Sequence, residues 1–246
     1  MSRITRIFQS EFPRQGESFR LDTRAVRHLV RVLRLAAGDG IRVFDGRGRE
    51  HSAMLTSVTQ REVVARIDDE VDADSESPLD ITLLQGISRG ERMDFVMQKS
   101  TELGVSRIVP VMTARSVVRL DESRAAKKRS HWQSIAVSAC EQSGRSVVPE
   151  ICCPLPLPEA LNACGPGELR LFMDPAGGHS LKAIDPVARP IVVLIGPEGG
   201  FDAGELAIAR AADFESVYLG PRILRTETAA LAVLAAIQSL WGDLAS

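Results

Sequence analysis

Residues 191–201 read IVVLIGPEGGF and residues 218–229 read YLGPRILRTETA. The first is an apolar run of strand length that breaks into Gly196, Pro197, Glu198, Gly199 and Gly200. Asp202 and Glu205 follow at the spacing of a capping box, so a helix is expected to open there. The second stretch leaves another strand-like run at Gly220 and enters a helical pattern near Thr226, with Thr226 or Thr228 as its expected cap. Each stretch is a strand, a glycine-bearing loop and a helix, and such a loop forms the edge of a pocket. Without Cβ atoms, glycines let backbone amides come close to a ligand.

Working outward, strand-like and helical runs alternate from DITLLQGI (80–87) onward. They continue through a helix over 91–103, RIVPVM, a helix around 122–142, VVPEI, ELRLFM, the apolar run at 191, a helix over about 203–212 and SVYLG. Alternation of this kind predicts an α/β sheet. The last helix, TAALAVLAAIQSLW, is apolar on nearly every side, which predicts burial in the core or at a subunit interface.

The first 67 residues differ in character. They carry 13 arginines, no lysine and 7 carboxylates, although the whole chain has a net charge of only −2. Short β-rich runs (RITRIFQ, IRVFDG, EHSAMLTSV, EVVARID) surround one helical stretch, TRAVRHLVRVLR, and together predict a small barrel. In that stretch Val26, Leu29, Val30 and Leu33 fall on one predicted helical face, while Arg24, Arg27, Arg31 and Arg34 lie largely off it. Arginines repeated along a helix pair with successive phosphates and stack on exposed bases, although a merely solvated face gives the same pattern. Residues 68–78 are acidic and polar and contain Pro78, as a linker should. We therefore expect domains over 1–72 and 73–246.

Cys140, Cys152, Cys153 and Cys164 show no C-x-x-C spacing, so thiols of a cytoplasmic protein are expected and no metal site is. The N-terminus lacks the apolar core of a signal peptide, and no apolar run approaches the roughly 18 residues of a membrane span. A soluble protein with no membrane partner is the expectation. Neither glycine loop matches the dinucleotide or Walker phosphate patterns. Ile223 and Leu224, apolar residues in a loop, suit the faces of a flat adenine whose edge is read by backbone groups.

Two other function classes have some footing. Gly86-Ile87-Ser88-Arg89-Gly90 spells G-x-S-x-G between a strand and a helix, the setting of a hydrolase nucleophile. Only His131 and His179 follow Ser88, however, and neither sits in a convincing catalytic loop. The basic block alone would also suit an RNA-binding protein without catalysis.

GPEGGF and LGPRILRTETA resemble the signature loops of the RsmE family, ribosomal RNA uridine N3-methyltransferases of the SPOUT superfamily. HLVRVLR (28–34), DGRG (45–48), SRGERMDFVMQKSTELGVSRIVP (88–110) and ACEQSGRSVVPEI (139–151) resemble it too, in order, so the likeness covers essentially the whole chain. It implies a PUA-like β-barrel followed by a SPOUT-type α/β domain with a trefoil knot, in a homodimer. The implied reaction moves a methyl group from the cofactor S-adenosylmethionine to N3 of a uridine in 16S ribosomal RNA, presented on the small ribosomal subunit.

Carried over by position, the donor would contact Ile195, Gly196, Gly199, Gly200, Leu219, Gly220, Ile223 and Leu224, with the loop around Asp174 and Pro175 a weaker third element. Uridine N3–H lies between two carbonyls and is a poor nucleophile until deprotonated. Glu198 and Glu227 are the carboxylates within the signature loops. Glu198 is the candidate base, although a loop carboxylate also serves to bond backbone amides or to face the donor's positive charge. Arg225 is the candidate for stabilising charge on the uracil oxygens, or else for anchoring a phosphate. Arg6, Arg27, Arg31, Arg34, Gln142 and Arg145 are the candidate RNA contacts; helix capping is the alternative for Gln142 and Arg145.

Overall fold

The computed structural model describes residues 4–72, 75–116, 121–175, 177–184 and 189–244. The chain divides into two compact units: residues up to Glu76 with Val137–Val148, and Ser77–Ala136 with the residues from Pro149 onward.

The first unit holds β1 (Thr5–Phe8), β2 (Ser18–Arg20), α1 (Thr23–Arg27), β3 (Gly40–Phe44), β4 (Glu50–Val58) and β5 (Val63–Glu70). Its sheet runs β1-β3-β4-β5-β2; β1 and β3 are parallel and the other pairs antiparallel. Alternation along β5 turns Val63, Ala65 and Ile67 inward, where they meet Ile7, Leu29, Ile41, Val43 and Leu55. This period of two makes one face of the sheet a core.

One sequence expectation is corrected here. The predicted single helical face does not persist, because α1 passes at His28–Leu33 into a π-helical turn that ends at Arg34 in the left-handed region. Wider turns rotate the later residues out of register. Val26 and Leu29 are buried, whereas Leu33 is exposed and Val32 is 65% exposed. The acidic stretch expected to be a linker is also partly structured. β5 continues to Glu70, and Glu76 accepts hydrogen bonds from the backbone N–H groups of Ser146 (2.8 Å) and Val147 (2.9 Å).

The second unit contains β6 (Ile81–Gly86), α2 (Glu91–Glu102), β7 (Arg107–Met112), β8 (Glu150–Ile151), β9 (Leu155–Pro156), α4 (Leu157–Asn162), β10 (Leu169–Met173), β11 (His179–Ser180), β12 (Ile191–Ile195), α5 (Ala203–Ala211), β13 (Glu215–Tyr218) and α6 (Thr226–Trp241). Between β7 and β8 runs α3 (Glu122–Ser143), whose residues from Val137 belong to the first unit. The strands form one all-parallel sheet in the order β11-β13-β10-β12-β6-β7-β8, with β9 also beside β7. All five residues of β12 are buried, as expected of a central parallel strand covered on both faces.

The sheet grows outward from β6 through β7 to β8, and β12 is then laid between β6 and β10. Strand order thus reverses beside β6, and the loops leaving the carboxyl ends of β10, β12 and β13 gather on one edge. Ligands of parallel sheets bind at such an edge.

Candidate functional site

At that edge lies a cavity of about 660 Å³, within the usual range for small-molecule sites. Ile195, Gly196, Glu198, Gly199 and Gly200 line it from the loop after β12, and Leu219, Gly220, Ile223, Leu224 and Arg225 line it from the loop after β13. Asp174 and Pro175, after β10, complete a third side. The structure therefore brings together every donor-loop and catalytic candidate of the sequence analysis. Ile223 is 85% exposed at the cavity rim, where its apolar side chain is available to a ligand.

Local chemistry explains how the loops are held. Asp202 and Glu205 form the expected capping box, their side chains and backbone N–H groups bonding reciprocally at 2.8 and 3.0 Å. The free carboxylate oxygen of Glu205 accepts from the Ala114 N–H at 2.7 Å. On the other side, Gly86 at the end of β6 touches the backbone of Gly196 and Pro197, so that a Cβ there would collide with the loop.

Thr226 was expected as a possible cap of α6, but Arg225 takes the cap position and Thr226 begins the helix. Its hydroxyl instead donates to the Gly196 carbonyl at 2.5 Å and accepts from Gln85 Nε2 at 2.9 Å. One buried side chain thereby ties α6, β6 and the first glycine loop together.

Charge in the cavity is mixed. Arg92 from α2 lines it, as do Arg222 and Arg225, opposite Asp174, Glu198 and Glu227. Glu198 accepts from Arg92 Nη1 at 2.7 Å and from the Arg89 N–H at 3.1 Å. Burial pushes this carboxyl up, but its own backbone N–H, the Arg89 N–H and the Arg92 guanidinium outweigh burial and hold it below the ordinary glutamate range. A carboxylate stabilised as an anion is a weaker base, so the geometry favours an anchoring role for Glu198.

Local sequence does not mark Arg92, Tyr218 or Arg222 as site residues, and it offers Thr226 only as a cap. Arg92 lies on a helix about a hundred residues before the loops, and nothing in local spacing places it there.

The first unit contains a separate basic face. Arg27, Arg31 and Arg34 are exposed along α1 and the π-helical turn, and Gln142 is exposed at the end of α3. A second cavity of about 590 Å³ lies beside them, lined by Arg24, Arg27, His28, Val32, Leu33 and Gln142 among others. Arg6 also lines this cavity, but its guanidinium, like that of Arg145, is engaged by groups of the first unit. Arg6, with its side chain 7% exposed, makes a bidentate pair with Glu50 and donates to the carbonyls of Cys140 and Arg145. Buried Arg145 bonds Glu76 at 2.8 Å.

Ser88, the serine of the hydrolase-like motif, is buried, and its hydroxyl has no hydrogen-bond partner among the described residues. His131 bonds Asp94 instead. Among the described residues no base contacts this serine.

Residues 75–238 match the RNA methyltransferase domain family, and residues 21–68 match the RNA methyltransferase PUA domain family. The chain is 31% identical to ribosomal RNA small subunit methyltransferase E of Bacillus subtilis, over 91% of this chain and 90% of that protein. The crystal structure of a ribosomal RNA small subunit methyltransferase E from Neisseria gonorrhoeae bound to S-adenosyl methionine superposes with a TM-score of 0.93. Its identity is 44%, and the match covers 98% of this chain and 100% of that one. A methyltransferase from Legionella pneumophila in complex with SAM gives 0.95 at 38% identity, with coverage of 98% and 100%. With its PUA-like first unit and SPOUT-type parallel sheet, the chain belongs to the ribosomal RNA small subunit methyltransferase E family.

Proposed function

We propose that this protein transfers a methyl group from S-adenosylmethionine to N3 of a uridine in the 16S RNA of the small ribosomal subunit. In this reading residues 1–72 grip the RNA and residues 73–246 carry the transfer. The observation that carries the reading is the cavity between the two glycine loops, in a chain whose relatives from Neisseria and Legionella hold the same donor.

The cavity fits that donor in three respects. Ile195, Leu219, Ile223 and Leu224 offer apolar surface for adenine. Gly196, Gly199, Gly200 and Gly220 leave backbone groups accessible to its edge. Asp174 and Glu198 place negative charge where a sulfonium and an ammonium would sit. The donor supplies an electrophilic methyl group; the chain binds it, orients it and excludes water. Arg225, on the cavity wall with no ion-pair partner among the described residues, is placed to stabilise charge on the uracil oxygens.

Arg27, Arg31, Arg34 and Gln142 are the RNA contacts we retain, since Arg6 and Arg145 are committed internally. Homodimer formation is supported by the second face of α6, where Leu231, Ala232, Ala235 and Ala236 are only half-buried and Leu240 is exposed. Among the described residues no helix is long and apolar enough to cross a membrane. A cytoplasmic site of action, where small subunits are assembled, accords with this.

Calorimetry with S-adenosylmethionine, followed by transfer of a labelled methyl group to unmodified small subunits, tests the reading. Saturable donor binding and label in the RNA are expected. RNA binding without donor binding would instead make the protein a non-catalytic RNA-binding factor.

A further inference from the structure

The mechanism so far leaves one group in the cavity unused. Glu227 sits in the first turn of α6, immediately after the Thr226 tether, and its side chain is 15% exposed. Its Oε1 lies 3.9 Å from Arg92 Nε, at the outer limit of an ion pair. Its Oε2 is buried and has no hydrogen-bond partner among the described residues. A buried carboxylate oxygen without a donor is costly, and a native site that keeps one has a use for it. Glu198 differs on each point: Arg92 approaches it to 2.7 Å and the Arg89 N–H to 3.1 Å. Arg92 thus neutralises Glu198 and leaves Glu227 the less occupied of the two.

We propose that Glu227 accepts the proton that uridine N3 must lose, its free Oε2 taking the N3–H hydrogen bond in the bound complex. This rests on the reading of the cavity as a methyl-transfer site. In the step, the N3–H bond breaks and its proton passes to Oε2. The electron pair left on N3 forms the new bond to the methyl carbon, and the pair of the broken S–CH3 bond stays on the sulfur, which becomes a neutral thioether. Glu227 then returns the proton to solvent, so the reaction needs no other reactant. Arg92 acts as a positioning residue, holding Glu198 away from this role.

The test compares the full-length protein with Glu227→Gln, which keeps shape and polarity but cannot take the proton. Product affinity is measured with S-adenosylhomocysteine, and single-turnover transfer with small subunits reconstituted from ordinary RNA or from RNA containing 5-fluorouridine. Fluorine at C5 withdraws electrons and makes N3–H more acidic. A positioned base contributes about 100- to 10,000-fold. Transfer to ordinary RNA should therefore fall by at least about 100-fold, product affinity should stay within about twofold, and 5-fluorouridine should recover most of the loss. Transfer within about threefold of the parent, or a loss that 5-fluorouridine leaves unchanged, would overturn the proposal, as would a comparable loss of product affinity. Failure of the unaltered protein to bind donor or product would overturn the reading beneath it, and is recognised before any variant is made.

Discussion

Replacing Thr226 by valine removes a hydroxyl while keeping the shape of the side chain. The wild-type group donates to the Gly196 carbonyl at 2.5 Å and accepts from Gln85 Nε2 at 2.9 Å. Gln85 retains its bond to the Gly86 carbonyl at 3.1 Å, so its amide is not wholly stranded, but the Gly196 carbonyl loses this donor. Two hydrogen bonds at about 0.5–1.5 kcal/mol each give a destabilisation of about 1–3 kcal/mol. Because one bond anchors the glycine loop itself, part of that loss should appear in donor affinity, a fall of about tenfold for 1.4 kcal/mol. Urea denaturation read with calorimetry of S-adenosylmethionine measures both quantities. Thr226→Ser keeps the hydroxyl and should restore most of each. If Thr226→Val left stability within about 0.5 kcal/mol and donor affinity within twofold of the parent, the tether would not be what orders the loop.

Three further outcomes are expected. Glu198 is held below the usual carboxylate range, so its stabilising contribution is fully present above the unfolded-state value and is lost as pH falls through the folded one. Acid titration of stability should therefore be shallower below the ordinary glutamate range in Glu198→Gln than in the parent, with equal slopes near neutrality. Arg27→Glu combined with Arg31→Glu should weaken RNA binding and lower its dependence on salt by about two phosphate contacts, with donor affinity unchanged; filter binding across a salt series reads this, and parallel loss of donor affinity would refute the division of labour. Arg6→Met should act on folding instead, costing up to about 3–5 kcal/mol in chemical denaturation because it leaves buried Glu50 with the longer Arg42 contact, at 3.7 Å, in place of a bidentate pair.

Much of the site was legible because its chemistry is local. The glycines at 196, 199 and 200 interrupt an apolar run, the Asp202–Glu205 spacing announces a cap, and Ile223 and Leu224 are conspicuous in a loop. Such signals need only neighbours in the chain. Gly86, Gln85 and Arg92 have no such signal, since each acquires its role only when β12 is laid beside β6. The threading of the chain that the family resemblance implies has no local signature either.

Arg6, in the basic block, and Arg145, just past the end of α3, show the opposite limit: each meets a carboxylate far away in sequence, Glu50 or Glu76, and a charge count is blind to pairing. Two of the shortest elements also escaped. β9 and β11 have two residues each, too few for any periodicity to appear. Leu33 was misplaced because the π-helical turn at His28–Leu33 departs from the 3.6-residue period assumed for the whole stretch.

Whether methyl transfer occurs, and where, is decided by incubating the protein with labelled S-adenosylmethionine and unmodified small ribosomal subunits, digesting the RNA and mapping the label by mass spectrometry. One methyl group per subunit is expected, on N3 of a uridine in 16S RNA. A methyl group on ribose or on another base, or no transfer from a protein that demonstrably binds the donor, would contradict the proposed function.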